Sequence, residues 1–122
     1  MRSLLITLIL FCLLSLGVSL NAVQVGRVCA ELTARIERLP DPASPDCLPA
    51  VRALGDYWQA RAEAIEFSAG YAAVDRITEQ AELLYTSAAC GDLYGYRTAY
   101  TLLLDAVEDL HRSERLSLAT LL

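Results

Sequence analysis

The chain has 122 residues, ten of them basic and fifteen acidic, for a formal net charge of −5, and 55% of it is hydrophobic. That length holds one small domain and no more. Every basic residue is an arginine and no basic stripe exists, so the sequence lacks the positive surface that releases counterions from a nucleic-acid backbone, and nucleic-acid binding is excluded as an expectation.

From Ser3 to Gly26 there are 24 residues without a charge. At 1.5 Å per residue the run measures about 36 Å, against a hydrocarbon thickness of about 30 Å. Leu, Ile, Val and Phe between Leu4 and Val25 each favour insertion by roughly 0.3–0.6 kcal/mol. Residues 1–26 are therefore predicted as a transmembrane signal anchor, with the lipid bilayer as a partner through Leu4–Val25. The competing expectation is a cleaved signal peptide and a secreted helical protein. Gly17-Val18-Ser19 and Leu20-Asn21-Ala22 are poor cleavage sites, so the retained anchor is preferred. Arg2 ahead of the run places the N-terminus in the cytoplasm and the remainder outside the cell membrane, although a plain count of Arg27, Arg35 and Arg38 favours the reverse.

Residues 27–49 read as a short helix and a Pro-rich linker. Val28, Leu32, Ile36 and Leu39 recur at helical spacing, and Glu31 precedes Arg35 by one turn. Four prolines follow between Pro40 and Pro49; each lacks an N–H and restricts its predecessor, so the helix stops there.

Residues 50–122 read as an antiparallel helical hairpin. Val51, Leu54, Trp58, Ala62, Ile65, Ala69, Ala73, Ile77, Ala81, Leu84 and Ala88 keep spacings of three and four, which predicts one long helix over Ala50–Ala89, with a kink or close contact at Gly70. Gly91 suits a left-handed C-terminal cap and Asp92 the N-cap of the next helix. Leu93, Tyr96, Tyr100, Leu103, Val107 and Leu110, with Leu104 beside them, form the last seam. The predicted fold class is all-α: an N-terminal transmembrane helix followed by an antiparallel helical hairpin or small helical bundle.

The pattern of an N-terminal apolar helix (Leu4–Val25), a Trp in a long helix (Trp58), an apolar–acid pair (Val74-Asp75) and a C-terminal helix rich in Leu and acids (Leu102–Leu118) resembles bacterial domain-of-unknown-function family 4363 over Leu54–Leu122. A His often precedes the apolar–acid pair in that family, and Tyr71 stands in that region here. The resemblance implies a short membrane-anchored helical protein of Firmicute-like bacteria and no assigned activity.

Chemistry-bearing constellations are sparse. Glu108 and His111 have the spacing that puts two metal ligands on one helix face, but a di-metal carboxylate site needs two such motifs and two more Glu, and the chain has one His. Asp75, Glu79 and Glu82 share a face as a solvated acidic stripe, with Arg76 able to pair with Glu79. Ser113 and Ser117 near His111 lack the turn that exposes a nucleophile. No catalytic, metal or cofactor residue is assigned, and the chain is expected not to be an enzyme.

Of the four cysteines, Cys12 lies in the apolar run, and none has Cys-x-x-Cys spacing. Three ordinary buried or half-buried thiols at Cys29, Cys47 and Cys90 are the preferred expectation; of the possible disulfides, Cys29–Cys47 would tie the first helix to the linker, and Cys47–Cys90 requires the linker to reach the far end of a straight helix. Trp58, Tyr71, Tyr94, Tyr96 and Tyr100 are the candidate residues for a partner surface or a pocket. The expected role is an accessory or interaction subunit of a membrane complex, with a membrane-protein partner or a homodimer; the alternative is a ligand-binding or sensory module with a pocket lined by Trp58, Tyr71 and Tyr100.

Overall fold

The computed structural model describes residues 1–121, with the side chains of all of these except Val18, Ser19, Asn21, Ala22, Ser68, Ser117, Leu118, Thr120 and Leu121. Its elements in chain order are α1 (Arg2–Glu37), α2 (Cys47–Ala69), α3 (Tyr71–Cys90) and α4 (Leu93–Leu121). No strand occurs among the described residues.

Each helix buries one stripe. Val25, Val28, Cys29, Leu32 and Ile36 come from α1, and Cys47, Val51, Leu54, Trp58 and Ile65 from α2. Val74, Ile77 and Leu84 come from α3, and Tyr96, Ala99, Leu103, Ala106, Val107 and Leu110 from α4. These residues form one core. α1 packs on α2 and α4, and α3 packs on the same two. This is the square adjacency of an up-down-up-down bundle with short connections. Burying a Leu, Ile or Val side chain contributes about 1.5–3 kcal/mol, so one shared core stabilises four stripes that none of the helices could bury alone.

The expected single helix over Ala50–Ala89 is corrected: it is two helices, broken at Gly70. That residue has φ 88° and ψ 166°, a combination that is essentially restricted to glycine because a Cβ would clash with the backbone. The chain reverses there, and α3 returns alongside α2. Trp58 Nε1 donates to Thr78 Oγ1 at 2.9 Å and staples the two together. The apolar stripe stays in phase through the turn, since Ala69 and Ala73 both face the core, and that continuity is why periodicity alone reads one rod.

The next reversal follows the sequence. Gly91 is left-handed at φ 71°, Asp92 N donates to Ser87 O at 2.9 Å, and Asp92 Oδ1 accepts from Gly95 N at 3.0 Å. Two helix ends are thereby satisfied within three residues. Between α1 and α2, Asp41 Oδ1 accepts from Ala43 N at 2.9 Å and Ser44 Oγ accepts from Asp46 N at 3.2 Å. Pro49 then lies in the first turn of α2, where a missing N–H costs nothing.

The N-terminal expectation is also corrected. Among the described residues no helix is long and apolar enough to cross a membrane, and the transmembrane helix and signal anchor over residues 1–26 are withdrawn. The physical reason lies in how α1 divides its length. The bundle claims the C-terminal end of the uncharged run, with Val25 wholly buried. The side chains of Val18, Ser19, Asn21 and Ala22, which the expected span also used, lie outside the described residues. α1 runs unbroken from the apolar arm into the core.

Gly70→Ala forces a side chain into that glycine-only conformation at a cost of about 1–3 kcal/mol. Urea unfolding of the variant is expected to show that loss with an unchanged slope; unchanged stability would mean the reversal does not need this geometry.

Candidate functional site

The aromatic residues singled out by sequence do not assemble into one site. Trp58 is 1% exposed and its indole N–H is occupied by Thr78. Tyr71, at the start of α3, is 74% exposed, and Tyr94 is exposed at the start of α4. Tyr96 is buried, and Tyr100 is half-buried with its ring tilted against Tyr96, centroids 6.4 Å apart. A pocket walled by Trp58, Tyr71 and Tyr100 is therefore not formed, because one is a core residue and another points into solvent.

The cysteines are free thiols. Cys29 is buried on α1 within electrostatic reach of Glu114, and Cys47 is buried at the start of α2, where its Sγ–H donates to the Tyr96 hydroxyl at 3.5 Å. Glu114 and Tyr96 are roughly 27 Å apart along α4 at 1.5 Å per residue. A disulfide needs Cα atoms within about 7 Å, and the fold does not bring Cys29 and Cys47 that close. The reversal at Gly70 returns Cys90 to the same end of the bundle as Cys47, contrary to the straight-helix expectation, but Cys90 is exposed while Cys47 is buried.

Burial raises the Cys29 thiol from 9.0 to about 11, with the Glu114 carboxylate adding in the same direction. Burial likewise raises the Tyr96 phenol, assisted by the hydrogen bond with Cys47. Both groups are held neutral by the fold.

The charged candidates are surface features. Glu108 pairs with Arg112 at 3.1 Å, and no cluster of three or more His, Cys, Asp or Glu able to hold a metal occurs among the described residues. His111 packs where α4 crosses α1, with its Nε2 facing Gly26. Arg76 reaches across to Asp109 on α4 at 2.9 Å rather than to Glu79 on its own helix. Tyr57, not singled out by sequence, is stacked between two arginines, with the guanidinium carbons of Arg35 and Arg61 at 4.4 and 3.8 Å from its ring centroid. Arg35 also pairs with Glu31 at 3.0 Å, so α1 and α2 are joined at the surface by a cation–π link.

The feature that does stand apart is the N-terminal arm of α1. None of the described side chains from Met1 to Gln24 is buried. Leu4, Leu5 and Ile6 are consecutive and all exposed, as are Leu8, Ile9, Leu10 and Phe11. Opposite the arm, α2 presents Ala60, Ala64 and Phe67 across an open groove of about 970 Å³, whose other wall is Leu10, Leu13, Leu14 and Gly17. Phe67 is 94% exposed. Sequence reasoning missed this wall because Phe67 falls off the core stripe of α2. The available signal is an aromatic residue three positions before the chain reversal and off the core seam.

No family model matches the chain, and no curated protein and no solved structure matches it either. The resemblance to family 4363 thus rests on the residues quoted for it.

Ionisation of Cys29 gives a pH test. Its folded pKa lies above its unfolded value, so the stability it contributes is complete below pH 9 and is lost as pH rises towards 11, because the unfolded chain releases the proton first. Urea unfolding is expected to weaken across that window and to weaken less in Cys29→Val. In the native protein a thiol reagent is expected to label Cys12 and Cys90 rapidly and Cys29 and Cys47 slowly; uniform labelling would contradict the burial.

Proposed function

We propose that this chain is a non-enzymatic interaction subunit, an accessory component of a larger assembly, in which the bundle is a folded head and the arm is the docking element. One observation carries the reading: the core closes from Val25 onwards, and the arm ahead of it presents apolar side chains that the head does not use. Ten large apolar side chains between Leu4 and Leu16 are each at least half exposed. They leave roughly 1,000 Å² of apolar surface, which is worth on the order of 20 kcal/mol when covered. A monomeric soluble protein rarely exposes a contiguous patch of more than a few hundred Å², so the arm calls for a cover from outside the head.

A second reading has its own support. The described residues of the arm after Arg2 carry no charge, and a helix so largely apolar suits an apolar surface as well as a protein groove. In that reading the arm rests against a lipid surface without crossing it and holds the head beside it.

Deletion of residues 2–16 separates the arm from the head. The shortened chain is expected to keep its helical circular dichroism and its midpoint of unfolding, and to run as a monodisperse monomer without detergent, whereas the full chain associates. Unfolding of the shortened chain would place the arm in the core, and a full chain that stays monomeric in plain buffer would remove its docking role. Flotation of the full chain with phosphatidylcholine vesicles reads the lipid alternative directly.

A further inference from the structure

We propose that the groove between the arm and α2 receives the arm of a second copy of this chain, exchanged reciprocally about a two-fold axis. The inference rests on the arm being a docking element and names what it docks to.

Both halves of the contact are present on one molecule. The groove walls carry helical seams: Leu10, Leu13, Leu14 and Gly17 on α1 follow i, i+3, i+4, i+7, and Ala60, Ala64 and Phe67 on α2 follow i, i+4, i+7. Such rows are the ridges and grooves into which another helix packs. Gly17, Ala60 and Ala64 are small, so a third helix can come close. Among the adjacent pairs of the bundle, α1 and α2 share the thinnest contact, which leaves the square open along this edge.

The ridge that fits lies on the same arm. Leu4, Leu8 and Phe11, with Ser3 and Thr7 beside them, form a second apolar seam. At 100° per residue it projects roughly 100° around α1 from the seam that lines the groove. One copy cannot place this ridge in its own groove, because both belong to the same rigid helix. Two copies can, each giving a ridge and accepting one. Such an exchange closes on itself as a two-fold dimer and does not propagate into a filament.

Charge and area agree with this occupant. The charge on the groove wall is Glu63, and the arm carries Arg2 at its tip. With the two arms antiparallel, the tip of one lies towards the Ala60–Glu63 end of the other's groove. The side chains of the two seams, Leu4, Leu8 and Phe11 with Leu10, Leu13 and Leu14, together with Phe67, expose on the order of 1,000 Å², comparable with the about 800 Å² that each partner buries in a standard stable interface.

The test uses the full chain in mild detergent with the exposed thiols removed by Cys12→Ser and Cys90→Ser, neither of which lines the groove. Chains carrying Leu8→Cys and chains carrying Ala64→Cys are mixed and oxidised. The expected product is a disulfide between the two kinds of chain, in higher yield than either forms alone. Light scattering is expected to give two chains per particle, and Ala64→Glu is expected to reduce association at least tenfold while leaving the helical content intact. A single chain per particle, absence of the mixed disulfide, or an Ala64→Glu chain that still pairs would each overturn the proposal. Arm-dependent association with vesicles by a chain that is monomeric in detergent would assign the arm to lipid: this inference would fail and the docking role of the arm would stand. Association that survives deletion of residues 2–16 would instead remove the docking role itself.

Discussion

The head of this protein depends on four apolar stripes sharing one core, and the geometry that permits it is the reversal at Gly70. A φ of 88° with a ψ of 166° turns what the hydrophobic period presents as one rod into two shorter ones. With a straight helix there, the stripes of α2 and α3 would point the same way along some 60 Å, at 1.5 Å per residue, and Val74, Ile77 and Leu84 would have nothing to cover them. With the reversal, α3 returns past Trp58, α4 returns past α3, and α1 finds the open side. The Trp58–Thr78 hydrogen bond then satisfies the one polar group of the largest core side chain, where an unpartnered indole N–H would cost about 1–3 kcal/mol.

α1 joins this core with only part of its length. Val25, Val28, Cys29, Leu32 and Ile36 are buried, while the same helix extends ahead of Val25 without a break. Arm and head are therefore mechanically one piece. The net negative charge of the chain then lies mostly on the head, because the arm up to Gly26 carries no acidic residue.

Much of the head was legible in the residues. The stripe from Val51 to Ala88 names the core faces of α2 and α3 correctly, since periodicity reports which face is apolar whatever the helix does at its ends. Gly91 and Asp92 announce their turn because a left-handed glycine followed by a capping carboxylate is a local signal with local causes. Gly70 was harder. A lone glycine in phase with the stripe costs about 1 kcal/mol relative to Ala in a helix, so the sequence permits both a kink and a reversal. Only the tertiary need to cover α3 decides between them. The partner of Arg76 is hidden from the sequence for the same reason: Glu79 is within local reach, but Asp109 is 33 positions away and comes near only once α4 has folded back.

The composition of the arm says nothing of its neighbours. Counting uncharged residues from Ser3 to Gly26 treats the run as one object, whereas the fold assigns its C-terminal end to the core and sets Leu10–Gly17 beside α2. Phe67 shows what such a count omits. It lies off the core seam of its own helix, so the core periodicity passes over it, yet its position three residues before the reversal places it at the end of the head from which the arm departs, on the wall that faces Leu10, Leu13 and Leu14. An aromatic ring left 94% exposed beside an apolar helix is surface that the folded head alone has no reason to keep. Two apolar elements, one from α1 and one from α2, thus stand exposed together at one end of the head.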